Sequence, residues 1–333
     1  MPPLYLTQQL AKLRIRKGRL LVELDGEQLL HLPLGHVSEV VLFGNIGLST
    51  PAIGTLLGRD IDVVFLSEDG GNFKGRLTSG LTPHVPLRKA QYRALDAPDF
   101  KLEMARGFVR AKLRHQRALL QRHNRERSDP EIETCITQVR EALQGVSRRR
   151  QVSSLRGYEG SASAAYFRGL RRLFEPVWDF RNRNRRPPRD PVNALLSLGY
   201  TLMTHIASSA VEAVGLDPYA GFLHEVVYNR PALGLDLVEE FRPVVDGIVL
   251  WACNSGQVKP DDFSEGPPER PVLLSPEGRK RFLQAFEKRM EARFTHPISQ
   301  KRLTMRQCVL EQARQIADRL RNDDPGYTGM GFR

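Results

Sequence analysis

Over the first 80 residues apolar side chains recur at every second position, in short runs broken by turn signals. LRIR (13–16) alternates, Lys17-Gly18 reverses the chain, and Leu20, Val22 and Leu24 alternate again. Asp25-Gly26 supplies a second reversal before Leu30, Leu32 and Leu34, so the pattern predicts a meander of hairpins. HVSEVVLFG and IDVVFLS read as further strands, with Gly70-Gly71 closing another hairpin. Between those strands, STPAIGTLLGRD predicts a short helix with Ser49 or Thr50 as N-cap and Pro51 in its first turn. GNIG (44–47) lacks the glycine spacing and the lysine of a phosphate loop and reads as a turn.

From about residue 100 the period lengthens to that of a helix. Met104, Phe108, Ala111, His115 and Leu119 fall on one stripe, with His115 at its edge. Later, Ser275-Pro276-Glu277 opens a helix bearing Phe282, Phe286 and Met290. Met305, Val309, Ala313, Ile316 and Leu320 mark the last long one. Pro83, Pro86 and Pro98 make residues 81–99 read as a linker, and the glycine-rich DDPGYTGMGFR reads as a mobile tail. The expected fold class is α+β. A small N-terminal β domain (1–80), β-sandwich-like with a short helix, precedes a larger all-α domain (100–333).

Charge changes this picture from architecture to partner. Fifty Lys and Arg against 38 Asp and Glu leave a net charge of +12, which favours a polyanion through phosphate contacts that release counterions. Arginine clusters at 147–150 (Arg148, Arg149, Arg150) and 181–189 (Arg181, Arg183, Arg185, Arg186) sharpen the expectation of nucleic acid. Solvated loop surface is the competing reading of such runs. No apolar run reads as long enough to cross a bilayer, and no membrane partner is expected. Three widely spaced cysteines fit a reducing, cytoplasmic setting better than structural zinc.

Candidate chemistry lies in three segments. In LRGYEGSASAAYFRGL (155–170) Glu159 is the one acid among glycine, serine and alanine. On a helix, Ala162, Ser163 and Tyr166 stack nearest to it, so small neighbours leave the carboxylate open to an approaching group. In GLDPYAGFLHEVVYNRPALGLDLVEEFRP (215–243), Pro231 can open a helix and Pro243 close it. Asp236, Glu239 and Glu240 share one helical face there, and His224 sits just upstream in an apolar setting. Three clustered acids repel one another unless a cation or arginines offset them. A Glu, a His and a helix-borne carboxylate on separate segments suit Mg²⁺ or Mn²⁺. In the helix opened by Asp190-Pro191, Asn193 and Ser197 share a face as supporting groups, and Tyr166 could stack or hydrogen-bond nearby.

RGYEGSASAAYF, RDPVNALLSLGYTLM, GLDPYAGFLHE and RPALGLDLVEEFRP, in this order, closely resemble the CRISPR-associated endonuclease/integrase of the spacer-acquisition module. The resemblance covers nearly the whole chain. It implies a homodimer formed largely through the β domain. Two such dimers would clamp a dimer of a small ferredoxin-like partner protein, giving a heterohexameric complex. It also implies that Glu159, His224 and Glu239 are catalytic metal ligands for Mg²⁺ or Mn²⁺. Asp236 matches the acid three residues earlier as a supporting ligand, with a role for Glu240 left open. Ala232 stands where family members often carry Ser, away from the ligands. The implied activity inserts short foreign DNA fragments into a CRISPR array, a 3′-hydroxyl attacking a phosphodiester at the repeat boundary. Water in place of the hydroxyl would nick DNA. Arg242 joins the arginine clusters as a candidate phosphate contact. The alternatives are an inactive DNA-binding scaffold of the same fold and, less attractive for so basic a chain, a hydrolase of small phosphoesters.

Overall fold

In a computed structural model the described residues are 2–80, 84–184 and 187–331. The chain divides into two units, Met1–Leu81 and Thr82–Arg333. The first contains β1 (Leu4–Leu6), β2 (Lys12–Arg16), β3 (Arg19–Leu24), β4 (Glu27–Pro33), β5 (Glu39–Phe43), β6 (Gly47–Leu48), α1 (Thr50–Leu57), β7 (Asp62–Leu66) and β8 (Phe73–Leu77). They form two sheets, ordered β4-β3-β2-β6 and β1-β5-β7-β8.

The expected meander is present: β2, β3 and β4 pair antiparallel in sequence. Its turns follow from their residues, since Lys17-Gly18 (φ 49° and 70°) and Asp25-Gly26 (φ 49° and 87°) both hold two positive φ angles. That backbone matches the twist of the strands it joins and is open to glycine at little cost. Alternate residues of both sheets, among them Leu13, Leu20, Val22, Val40, Leu42 and Val63, bury into one core with Leu56 of α1. Ser49 is the N-cap of α1, its Oγ accepting from the amide of Ala52 at 3.4 Å.

The second unit is built from α2 (Val85–Asp96), α3 (Pro98–Arg127), α4 (Pro130–Gly145), α5 (Val152–Arg171), α6 (Pro191–Ala213), α7 (Ala232–Asn254), α8 (Pro276–Met290) and α9 (Met305–Arg321). Two antiparallel ribbons interrupt the helices, β9 (Phe263–Glu265) with β10 (Val272–Leu274), and β11 (Arg293–Thr295) with β12 (Arg302–Thr304). The unit is therefore mainly rather than wholly helical. α3 packs on α4, α5 and α7, and α6 lies along α7, which brings α3, α5 and α7 together around the candidate site.

Four further expectations are corrected. The stretch 81–99, expected as a linker, holds α2 and the start of α3; its residues 81–83 lie outside the described residues. Pro86 and Pro98 sit in first turns, where the missing N–H removes no helical hydrogen bond. Pro243 does not end α7, which runs on to Asn254; it leaves the Glu239 carbonyl without its i+4 donor. α6 is long and apolar enough to cross a membrane by length and composition, with mean hydropathy 1.2 over 18 residues, but 67% of that window is buried within the protein. The fourth is the tail. Tyr327 and Met330 are 3% and 0% exposed, and the Tyr327 carbonyl comes so close to α3 that a Cβ on Gly107 would stand 2.5 Å from it.

Candidate metal and DNA site

Glu159 lies in the middle of α5, where a small residue one turn on gives it a partner rather than a clash. Ser163 donates its hydroxyl to Glu159 Oε1 at 2.7 Å, and Gln116 of α3 donates to Ser163 at 3.3 Å. The group that enters the space left by the small residues is Lys112, from α3. Its ammonium contacts Glu159 Oε1 and lies 2.5 Å from Glu239 Oε2. One cation thus joins the carboxylates of two helices that are remote in sequence.

His224 is placed from the other side. Asp236, fully buried in the second turn of α7, accepts the backbone amides of Phe222 and Leu223 through Oδ2 (2.6 and 2.9 Å) and that of His224 through Oδ1 (2.8 Å). The same Oδ1 stands 2.7 Å from His224 Nδ1. A ring donating Nδ1–H to a carboxylate leaves Nε2 with its lone pair free, the tautomer that suits a metal ligand. Nε2 faces Glu239 Oε1 at 4.0 Å. Asp236 is therefore engaged in shaping the 222–224 turn and the imidazole, and its contacts are those of an anchor.

Glu239 has cations on both sides, Lys112 and Arg242, whose Nη1 is 3.7 Å from Oε1. Burial works hardest against its ionisation, yet Lys112 and Arg242 together hold the carboxyl well below the usual carboxylate range. Among the described residues no hydrogen-bond donor is aligned with its buried Oε2, so the contact with Lys112 is one of charge. Arg242 is itself mostly buried and stacks over Tyr200, its guanidinium 3.8 Å from the ring centroid. Tyr200 and Tyr166 both donate their hydroxyls to Asp246, the latter at 2.8 Å. Burial and that carboxylate push both phenols far above their ordinary range.

The donor set fits a hard divalent cation: two carboxylates, one oriented imidazole, and a position between the carboxylates that already attracts positive charge. The donors do not stand as a closed cage, for among the described residues no three His, Cys, Asp or Glu side chains converge as metal ligands do. The lysine sits between the two glutamates.

The remaining expected residues spread around this centre. Asn193 and Ser197 hold Arg183, which donates to Asn193 Oδ1 at 2.7 Å and Ser197 Oγ at 3.2 Å and lies over the Tyr200 ring at 5.3 Å. Arg183 and Arg242 thus flank Tyr200 as fixed internal cations, while Arg148 and Arg150 are exposed. Arg149 stacks on Tyr158 at 4.5 Å, and Arg181 pairs with Asp179. Arg185 and Arg186 lie outside the described residues. Tyr166 is a core residue bonded to Asp246, and Glu240 turns to the opposite side, toward the tail.

Sequence reasoning does not single out Lys112, Gln116 or Asp246. A signal for the first exists: Lys112 is one turn from Phe108 and next to Ala111, inside the apolar stripe of α3 rather than opposite it.

Comparison with known proteins points to one family. The family model for the CRISPR associated protein Cas1 matches residues 4–288. A CRISPR-associated endonuclease Cas1 of Thermus thermophilus is 38% identical over 334 residues, covering 99% of this chain and 95% of that protein. Among solved structures, a chain of the Cas6-RT-Cas1–Cas2 complex superposes with a TM-score of 0.82 at 25% identity, over 98% of this chain and 36% of that one. A casposase bound to integration product superposes at 0.86 with 22% identity, over 98% and 93% of the two chains. At that identity the likeness is one of fold.

Proposed function

The chain belongs to the Cas1 family, and from that premise we propose that it is a metal-dependent DNA strand-transferase and endonuclease that inserts short DNA fragments into a CRISPR array. The observation on which this reading rests is that Glu159 and Glu239 share one cation, with the oriented His224 Nε2 4.0 Å from Glu239. Glu159, His224 and Glu239 are assigned as ligands of Mg²⁺ or Mn²⁺. Bound there, the ion would polarise a phosphoryl oxygen and ease deprotonation of the attacking hydroxyl.

Phosphoryl transfer asks little covalent chemistry of the protein, so its residues position groups and offset charge. A 3′-hydroxyl of the fragment forms a new P–O bond at the repeat boundary, and the bond from that phosphorus to the 3′-oxygen of the array breaks. The attacking hydroxyl loses one proton and the leaving oxygen gains one, so no nucleotide cofactor is consumed. With water as nucleophile the same exchange nicks the strand. Asp236 keeps His224 Nε2 aimed inward, and Arg242 and Arg183 supply fixed positive charge beside Tyr200. The exposed Arg148 and Arg150 are assigned to the DNA backbone.

The assembly reading goes with this: a homodimer through the β domain, two of which hold a dimer of a small ferredoxin-like protein of the Cas2 kind. The likeness to a chain of a Cas1–Cas2 complex supports it. Retention of all three assigned ligands disfavours an inactive scaffold. The test is integration into a supercoiled array plasmid with a fragment duplex, the small partner and Mn²⁺. Glu159→Ala and His224→Ala are expected to abolish strand transfer while leaving DNA binding measured without metal; retained transfer would refute the metal assignment.

A further inference from the structure

We propose that Lys112 is an internal counter-cation of this site, which a divalent ion must displace from Glu159 and Glu239 before the two carboxylates hold it. The inference rests on the metal-site reading above and adds a control on when the site fills.

Lys112 is 5% exposed, in the middle of a 30-residue helix whose neighbouring stripe positions are Phe108, Ala111 and His115. A buried ammonium is tolerated only when paired, and both of the ion-pair partners of Lys112 among the described residues are assigned metal ligands. Its place is specific rather than a matter of general charge. Glu159 Oε1 takes the ammonium together with the Ser163 hydroxyl, which Gln116 in turn supports, so α3 and α5 are tied at this point by a relay as well as an ion pair.

Charge sets the consequence. Glu159 and Glu239 bring two negative charges, and Lys112 and Arg242 already offset both. A dication added to that balanced set meets an ammonium within contact distance of its own ligands. The flexible four-carbon stem of lysine allows the head group to withdraw, whereas Arg242 lies over the Tyr200 ring at 3.8 Å. DNA phosphates beside the site restore negative charge and give the displaced ammonium a new partner. Metal and DNA should therefore each strengthen the binding of the other, by the same factor. Lys112 is a positioning residue in this scheme, acting through the ligands rather than on the reacting atoms.

The test measures Mn²⁺ binding to the full-length protein without DNA, following the free-ion signal by electron paramagnetic resonance. Lys112→Met is expected to bind Mn²⁺ roughly tenfold more tightly than wild type or better, because one adjacent positive charge is gone. Lys112→Arg, which keeps the charge, is expected to bind no more tightly than wild type. Equal or weaker binding by Lys112→Met would overturn the proposal. Should that variant fail to fold, wild type answers alone: acetylation of Lys112 by an amine reagent, read by mass spectrometry, should rise several-fold when Mn²⁺ is added, and unchanged labelling would overturn it. The double variant Glu159→Gln, Glu239→Gln separates the two levels. If it binds Mn²⁺ as wild type does, the metal-site reading fails and this inference with it. If it loses binding while Lys112→Met shows no gain, only the role of Lys112 falls.

Discussion

On α7, Glu239 and Glu240 are consecutive and both buried, yet the two sides of the helix treat them oppositely. Glu239 faces Lys112 and Arg242, which keep it ionised despite its burial. Glu240 faces neutral donors: the hydroxyl of Tyr327, the amide side chain of Gln312 at 3.0 Å and the backbone N–H of Met330 at 2.7 Å. Burial pushes its carboxyl up to about 7, and those hydrogen bonds pull back only part of the way. One side of α7 holds its carboxyl ionised between two cations. The other uses the same residue type to fasten the C-terminal tail. His115 reinforces the second side, its Nδ1 2.6 Å from the Glu240 carbonyl, and burial lowers its imidazole to about 4.

The sharpest way to break the comparison is to neutralise each glutamate in turn. Glu239→Gln is expected to lower the strand-transfer rate by roughly a thousandfold through removal of a metal ligand, while Glu240→Gln should stay within a few-fold of wild type. Equal losses would dissolve the distinction. The fastening side is tested by stability. Tyr327→Ala should cost about 3–5 kcal/mol in urea unfolding for an aromatic removed from a packed site, and Tyr327→Phe about 1–2 kcal/mol for the hydroxyl alone. An unchanged midpoint for Tyr327→Ala would mean that the tail does not contribute to the folded state.

The two carboxyls should also pull the pH dependence in opposite directions. Glu240 has a folded-state value above its ordinary 4.5, so the folded protein keeps a proton that the unfolded chain has already lost. Its contribution is favourable below about pH 4.5 and declines as pH rises, with the loss complete above about 7. Glu239 is held below its ordinary value, so its contribution is present above about pH 4.5 and is lost as acid protonates it. Between pH 5 and 8 the stability of wild type relative to Glu240→Gln should therefore fall by on the order of 3 kcal/mol. A flat difference would show that Glu240 titrates as it does in the unfolded chain.

The smallest expected effect concerns DNA. Arg148→Ala with Arg150→Ala should reduce the salt dependence of DNA binding by about one unit of log–log slope for each phosphate that is no longer neutralised. Arg183→Ala should change the slope less, because that guanidinium is held by Asn193 and Ser197.

What can be read from the chain without its structure follows from where the information lies. The hairpins at Lys17-Gly18 and Asp25-Gly26 are legible because two adjacent residues determine the backbone there. Glu159 stands out because its neighbours are small, and the clustering of three acids at Asp236, Glu239 and Glu240 follows from the chain alone, although the single face expected for them is split, Glu240 turning to the tail. Which of those acids faces the site does not, since it depends on what α3 and the tail bring to each side. Lys112 looks like any of the basic residues of α3 until its stripe position is weighed against Phe108. The tail misleads because glycine and proline count as loop signals, whereas Gly107 and Gly329 allow Tyr327 and Met330 to pack closely against α3 and α7. Pro243 misleads for a related reason: a helix buried on so many sides tolerates one missing hydrogen bond.

The central claim is that Glu159, His224 and Glu239 hold one ion together. Anomalous diffraction from crystals of the protein with DNA and Mn²⁺ tests it most directly. A single strong manganese peak is expected within coordinating distance of the two carboxylates and of His224 Nε2, with the Lys112 ammonium withdrawn from both glutamates. A peak liganded by other residues, or Lys112 still bridging Glu159 and Glu239 in DNA-bound protein saturated with Mn²⁺, would contradict it.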